Sequence, residues 1–419
     1  MSDQNLSVTV AAEIKARSGE VANLAADMVR FDSVSPKFRN EGPIQTWLAR
    51  YLAGLGAEVD VWDVACDPQG EELESSRPNV VATWRGNGPG KSLLINGHVD
   101  VVPVDLDGWT HNPFEGAIDD GYVWGRGSVD TKGGIAAAIF AIEVLLEFGW
   151  RPSGTLALHA VMGEESGEGG TYAAIERGHR ADAAIVLEPT ELAVKPLEGG
   201  FQLLTIEVNG TAGHACDRWR LNSGSSRASA VDKGLVVVSA LQSLDERWRA
   251  TKSHKAFPAG WANLGVNVIR SGSTFGSIPA DFLAECAIWY LPGETSEGIR
   301  EEVEGVISEA CFGDPWFEDN PPKVNWGLDY PPAVTPVDQP IVQTFLTALA
   351  AVGLEPSSTA FLAVSDLRWI TAHHGIPGVL FGPGSLAQAH AVDERVAIEE
   401  LVHAACAFAY AIPLWFSQV

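Results

Sequence analysis

Apolar residues recur every three to four positions over 18–31 and again over 41–55, where Gly56 ends the run; this spacing predicts two helices. Shorter apolar stretches at 58–64, 79–85 and 92–96 read as strands. The stretch 134–148 carries Ala, Ile and Leu at helical spacing and stops at Gly149, which predicts a strong helix. Strands are again expected at 155–161 and 183–187. Strand and helix alternating in this way predict an α/β fold: a mainly parallel sheet flanked by helices on both faces.

Near 196–200 (PLEGG) the pattern changes, and 201–208 alternates apolar with polar residues as a half-exposed strand does. A helix over 230–248, strands over 262–270 and 281–290, and a helix over 296–311 follow. That content predicts a small open-faced α+β module with its sheet covered on one side. A Pro-rich stretch, 314–340, returns the chain to the first pattern, which a helix at 341–352, a strand at 377–380 and a helix at 397–412 complete. The expected organisation is a catalytic domain in two parts, 1–197 and 313–419, interrupted by an inserted module at 198–312.

Composition narrows the partners. A net charge of −26 repels nucleic acid and anionic membrane, so neither is expected to bind. No apolar run approaches the roughly 18 residues of a membrane helix, and the first twenty residues lack a basic segment followed by an apolar one. The five cysteines are scattered without a CxxC, as reduced thiols in a cytoplasmic protein are.

The candidate chemistry stands, nearly all of it, just beyond the predicted strands: His98 and Asp100, Asp130, Glu164 and Glu165, Glu188, and His390. Each alone has an ordinary explanation. An HxD at a strand end is often structural, two Glu in a Gly-rich loop make a solvated turn, Asp130 could cap a helix, and Glu188 could be a loop acid. Together they make the inventory of a paired divalent-metal site: two His, a bridging Asp, two terminal carboxylates and a free carboxylate as base. Asp100, two residues from His98, is placed to hold the other ring nitrogen of that histidine. There is no HExxH and no GxSxG, so a thermolysin-like site and a serine nucleophile elbow are absent.

The motifs GHVDVVP (97–103), GRGSVDTKGG (125–134), GEESG (163–167), LEPT (187–190), GTAGHA (210–215), FGPG (381–384) and AHAVDE (389–394) occur in one order along most of the chain. In this the sequence resembles the co-catalytic di-zinc hydrolases that include acetylornithine deacetylase, succinyl-diaminopimelate desuccinylase, aminoacylase and glutamate carboxypeptidase. The resemblance implies that His98, Asp130 and Glu188 hold one metal, and that Asp130, Glu165 and His390 hold the other. It implies two divalent ions, zinc or else cobalt or manganese, with full occupancy of both positions left open. Asp100 would orient His98, and Glu164 would act as general base toward metal-bound hydroxide. His214 matches a lid histidine that stabilises the oxyanion in a partner subunit, so the insert is expected to serve as lid and dimerisation domain of a homodimer or higher homo-oligomer.

Departures from the family pattern concentrate in the insert. Trp289 stands where a carboxylate-binding Arg is usual and Gly276 where Asn is typical, while the stretch 214–229 offers Arg218, Arg220 and Arg227 as replacements. Trp brings stacking rather than a bidentate donor, which points to an aromatic small-molecule substrate. The expected activity is metal-dependent hydrolysis of a C–N bond in a small N-acyl amino acid or dipeptide-like amide. The alternative is an aminohydrolase that deaminates an aromatic amine. A catalytically silent binding protein is a third class, disfavoured by the complete donor set.

Overall fold

A computed structural model of the chain describes residues 3–35, 40–86, 88–222 and 227–418. It divides into two compact units, one of Met1–Leu197, Val334–Phe361 and Ser365–Val419, the other of Glu198–Ala333 and Leu362–Val364.

The first unit is built on a nine-stranded sheet. Its centre is parallel: Ser92–His98 lies between Thr155–Val161 and Ala183–Val186, and Gly378–Leu380 continues beyond the latter. Strands covered on both faces have no solvent side, and Ser92–His98 is accordingly buried from Leu93 onward. Antiparallel strands finish the sheet, with Glu72–Arg85 and Glu58–Cys66 on one flank and Val194–Glu198 on the other. Because the central strands run the same way, their carboxyl ends share one edge, the place where open α/β sheets bind ligands. The α/β class with a mainly parallel sheet is therefore as the alternation predicts.

Helix Lys132–Glu147 is apolar on every side and buried from Lys132 through Ile142, and it packs on both Ser18–Val29 and Ile398–Ser417. The helix expected over 397–412 runs on through Pro413 to Ser417. By length and mean composition this helix is apolar enough to cross a membrane, although Glu399, Glu400 and His403 interrupt its apolar run. Its apolar surface is spent in the core instead, where Leu401, Ala405, Phe408 and Ile412 are fully buried. A small antiparallel ribbon, Ala117–Asp119, Tyr122–Trp124 and Arg395–Ala397, ties the middle of the chain to its C-terminal part.

The second unit holds a four-stranded antiparallel sheet in the order Asn263–Ser271, Asp281–Tyr290, Gly200–Asn209, Lys323–Tyr330. One face, with Leu204, Ile206, Ala284 and Ile288, packs on Val237 and Leu241 of helix Ala230–Thr251 and on Ile299 and Val303 of helix Ser296–Cys311. The insert boundary expected at 312 falls later, at Ala333. Strand Lys323–Tyr330 pairs with Gly200–Asn209, Val324 opposite Ile206, and so belongs to the second unit. Pro321, Pro322, Pro331 and Pro332 bracket this strand without interrupting it; proline is tolerated at the ends of an edge strand.

Candidate metal centre

The carboxyl ends of the central strands deliver the donors one at a time. His98 is the last residue of its strand, Glu164 and Glu165 follow Thr155–Val161 after a turn at Gly163, and Glu188 follows Ala183–Val186. Gly163 has φ +69°, and a β-carbon there would stand 3.0 Å from that of Glu168, so the turn that aims the two glutamates needs glycine. Asp130 sits immediately before helix Lys132–Glu147, joined to it by a cis peptide to Thr131. Gly133, in the first turn of that helix, approaches Ser128 so closely that a β-carbon would lie 2.2 Å from its carbonyl oxygen.

Asp130 is the hub. Its Oδ1 lies 2.9 Å from His98 Nε2 and its Oδ2 lies 3.5 Å from His390 Nε2. His390 Nε2 is also 3.1 Å from the Glu165 carboxylate. His98, Asp130 and Glu165 each present a donor atom within 4.8 Å of the others. Glu188 is buried, and the charges of Asp130 and His98 act on it directly.

Asp100 divides its work differently from the sequence expectation. His98 Nδ1 meets the backbone carbonyl of Asp100 at 3.0 Å, with Oδ1 of the carboxylate farther off at 3.7 Å. A carbonyl only accepts, so Nδ1 carries the proton and Nε2 is left toward Asp130. The Asp100 carboxylate accepts instead from the backbone N–H groups of Glu164 (3.2 Å) and Glu165 (3.1 Å). Asp100 thereby fixes the ring of His98 and the loop that carries Glu164 and Glu165.

The electrostatics are those of a cluster in need of cations. Burial and then the charge of Asp130 push the Glu165 carboxyl up to about 8, and the same causes raise Glu188 well above the usual range. Burial also raises Glu164, against the opposing charge of Arg368, whose guanidinium is 3.4 Å away. Hydrogen bonds to Asp130 and Glu165 raise His390 to about 10. Burial lowers His98, but its hydrogen bond to Asp130 and that acid's charge outweigh it. Burial raises Asp130, and the two histidines overcome it, holding the carboxyl below its usual range. Two carboxyls raised by burial, Glu165 and Glu188, together with the lowered Asp130 and two imidazoles, are a donor set suited to divalent metal.

Three residues unforeseen in the sequence complete the surroundings. Arg126 and Glu394 form a buried ion pair at 2.6 Å, and both lie in the motifs that carry the donors. Arg368, buried in a π-helical turn Arg368–His373, contacts the Glu164 carboxylate. Only a charge inside an apolar stretch (AVSDLRWI) hinted at it.

His214 lies in the second unit, on a two-residue strand, exposed, with Nδ1 accepting from the Cys216 N–H at 3.2 Å. Trp289 is half-buried on the sheet face away from the helices, beside Phe201 (4.6 Å between centroids) and Trp261 (5.5 Å). Arg218 binds Asp232 at 2.7 Å, Arg220 lies 3.7 Å from Asp217, and Arg227 donates to the Ala212 carbonyl. Residues 223–226 of that stretch lie outside the described residues.

Residues 94–413 match the family described as Peptidase family M20/M25/M40. An N-formyl-4-amino-5-aminomethyl-2-methylpyrimidine deformylase from Halalkalibacterium halodurans is 33% identical over 411 residues, covering 93% of each chain. The deformylase of the same name from Bacillus subtilis is 32% identical over 412 residues, again with 93% of each covered. Among solved structures, the M20 family metallo-carboxypeptidase Sso-CP2 from Sulfolobus solfataricus superposes with a TM-score of 0.76 at 17% identity, over 95% of this chain and 100% of its own. The chain belongs to peptidase family M20/M25/M40.

Proposed function

We propose that this metal-dependent hydrolase of C–N bonds removes a formyl or other small acyl group from the nitrogen of an aromatic amine. Asp130 carries the reading: its two oxygens face two different histidines, the disposition of a carboxylate shared by two ions. His98 and Glu188 complete one ligand set with it, and His390 and Glu165 the other. Two imidazoles and three carboxylates suit zinc, with cobalt or manganese as substitutes.

Ions bound there supply Lewis-acid polarisation of the amide carbonyl and bring the pKa of water toward neutrality. Glu164 takes the proton of the attacking water as the C–O bond forms, and returns it to nitrogen as the C–N bond breaks. Burial raises the Glu164 carboxyl, against the opposing charge of Arg368. In this reading His214 is the oxyanion donor, delivered by the second unit as lid and dimerisation module of a homodimer. Nδ1 accepts from Cys216, which leaves Nε2–H to donate. All five cysteines are free thiols, in keeping with a cytoplasmic location.

The aromatic substrate rests on the deformylases named above and on Trp289 at the position of the expected Arg. Product identity tests it. Zinc-loaded protein given N-formyl-4-amino-5-aminomethyl-2-methylpyrimidine should release formate and the primary amine in equal amounts. Ammonia without formate would assign the chain to aromatic deamination instead.

A further inference from the structure

Asp130 and His390 are 260 positions apart, and His390 comes from a turn rather than from a strand of the sheet. Its φ is +59°, in the left-handed region, and Asp393 three residues later has φ +60°. A non-glycine residue persists in that region only when its surroundings determine it. The surroundings here converge on one buried ion pair.

Arg126 spends one arm of its guanidinium on Glu394 Oε2 (2.6 Å) and the other on the backbone carbonyl of His390 (3.1 Å). The other oxygen of Glu394 accepts from the N–H groups of Val129 (2.9 Å) and Asp130 (3.3 Å), and its backbone carbonyl accepts from Gly125 (2.8 Å). The Trp109 ring lies 5.4 Å from the guanidinium carbon. The ribbon pairing Arg395 with Trp124 brings the two segments alongside each other. Glu394 thus holds the backbone of Asp130, and Arg126 holds that of His390.

We infer that the buried Arg126–Glu394 pair is a positioning device that sets the span between Asp130 and His390, and with it the affinity of the metal position His390 serves. Both residues are buried. The inference rests on the ligand assignment proposed above. Lysine at position 126 keeps the charge beside Glu394 but offers one nitrogen where the guanidinium sets two terminal nitrogens apart in a fixed fork, so it cannot hold both partners in this geometry.

The test is the metal content of chelator-stripped protein re-equilibrated with Co(II) at buffered concentrations, with the melting temperature of the metal-free protein measured alongside. Wild type, Arg126→Lys, His390→Ala and the double variant are compared. Arg126→Lys should bind the second ion roughly 10–100-fold more weakly, the usual range for lost support of a ligand. The first ion should be retained, and the metal-free melting temperature should stay near that of wild type. In the His390→Ala background the lysine should add no further loss. Glu394→Gln should act in the same direction and alter the visible Co(II) spectrum. Wild-type affinity in Arg126→Lys, while His390→Ala loses an ion, overturns the inference alone; so do losses that add fully in the double variant. Two ions retained in His390→Ala overturn the ligand assignment and the inference with it.

Discussion

Glu164 is the residue whose role can be separated from those of its neighbours. It directs its carboxylate to Arg368 rather than into the Asp130 cluster, and its backbone N–H is held by Asp100. Glu164→Gln keeps size and backbone contacts and removes the proton carrier. Turnover should fall by roughly 10²–10⁴, the span attributable to a positioned acid or base, while bound metal and melting temperature stay near wild type. Turnover close to wild type would remove Glu164 as the base. At this scale the placement of His98, Glu164, Glu165 and Glu188 was legible because each stands at the end of an apolar strand or within a few residues after it. The division of labour inside Asp100 was not legible. Whether its carbonyl or its carboxylate meets His98 depends on the curve of the chain after the strand, and side-chain alternation alone does not fix that.

At the scale of elements, strand Thr155–Val161 lies between Glu72–Arg85 and Ser92–His98 and is buried from Leu158 onward. His159 is fully buried within it, and neither ring nitrogen has a hydrogen-bond partner among the described residues. Burial, and then the nearby ring of His179, which is itself bonded to Asp60, push His159 down from 6.5 to about 3. The unfolded chain therefore binds a proton below pH 6.5 that the folded chain refuses until about 3, and stability is lost as pH is lowered across that window. His159→Leu removes this penalty. Denaturant unfolding should show the variant gaining about 2 kcal/mol on wild type between pH 7 and pH 5; parallel curves would show that His159 is not held neutral. Strand Lys323–Tyr330 marks the limit of reading elements from pattern. Its prolines look like a linker, and only its pairing with Gly200–Asn209 shows them to be the ends of an edge strand. Helix Ile398–Ser417 is the converse case, apolar enough for a membrane yet consumed by the core.

At the scale of the molecule, the parallel sheet was readable because alternating strands and helices admit few other arrangements. The Arg126–Glu394 pair was not, since it joins segments 268 positions apart through side chains that look like ordinary surface charges in the sequence. In the proposed centre Asp130 belongs to two ligand sets at once, one closed by His98 and one by His390. Metal per chain, measured by elemental analysis after zinc loading of wild type and of three alanine variants, tests this directly. Wild type should hold two ions, His98→Ala and His390→Ala one each, and Asp130→Ala fewer than either. An Asp130→Ala protein that keeps both ions, or a wild-type chain that binds none, would contradict the shared centre.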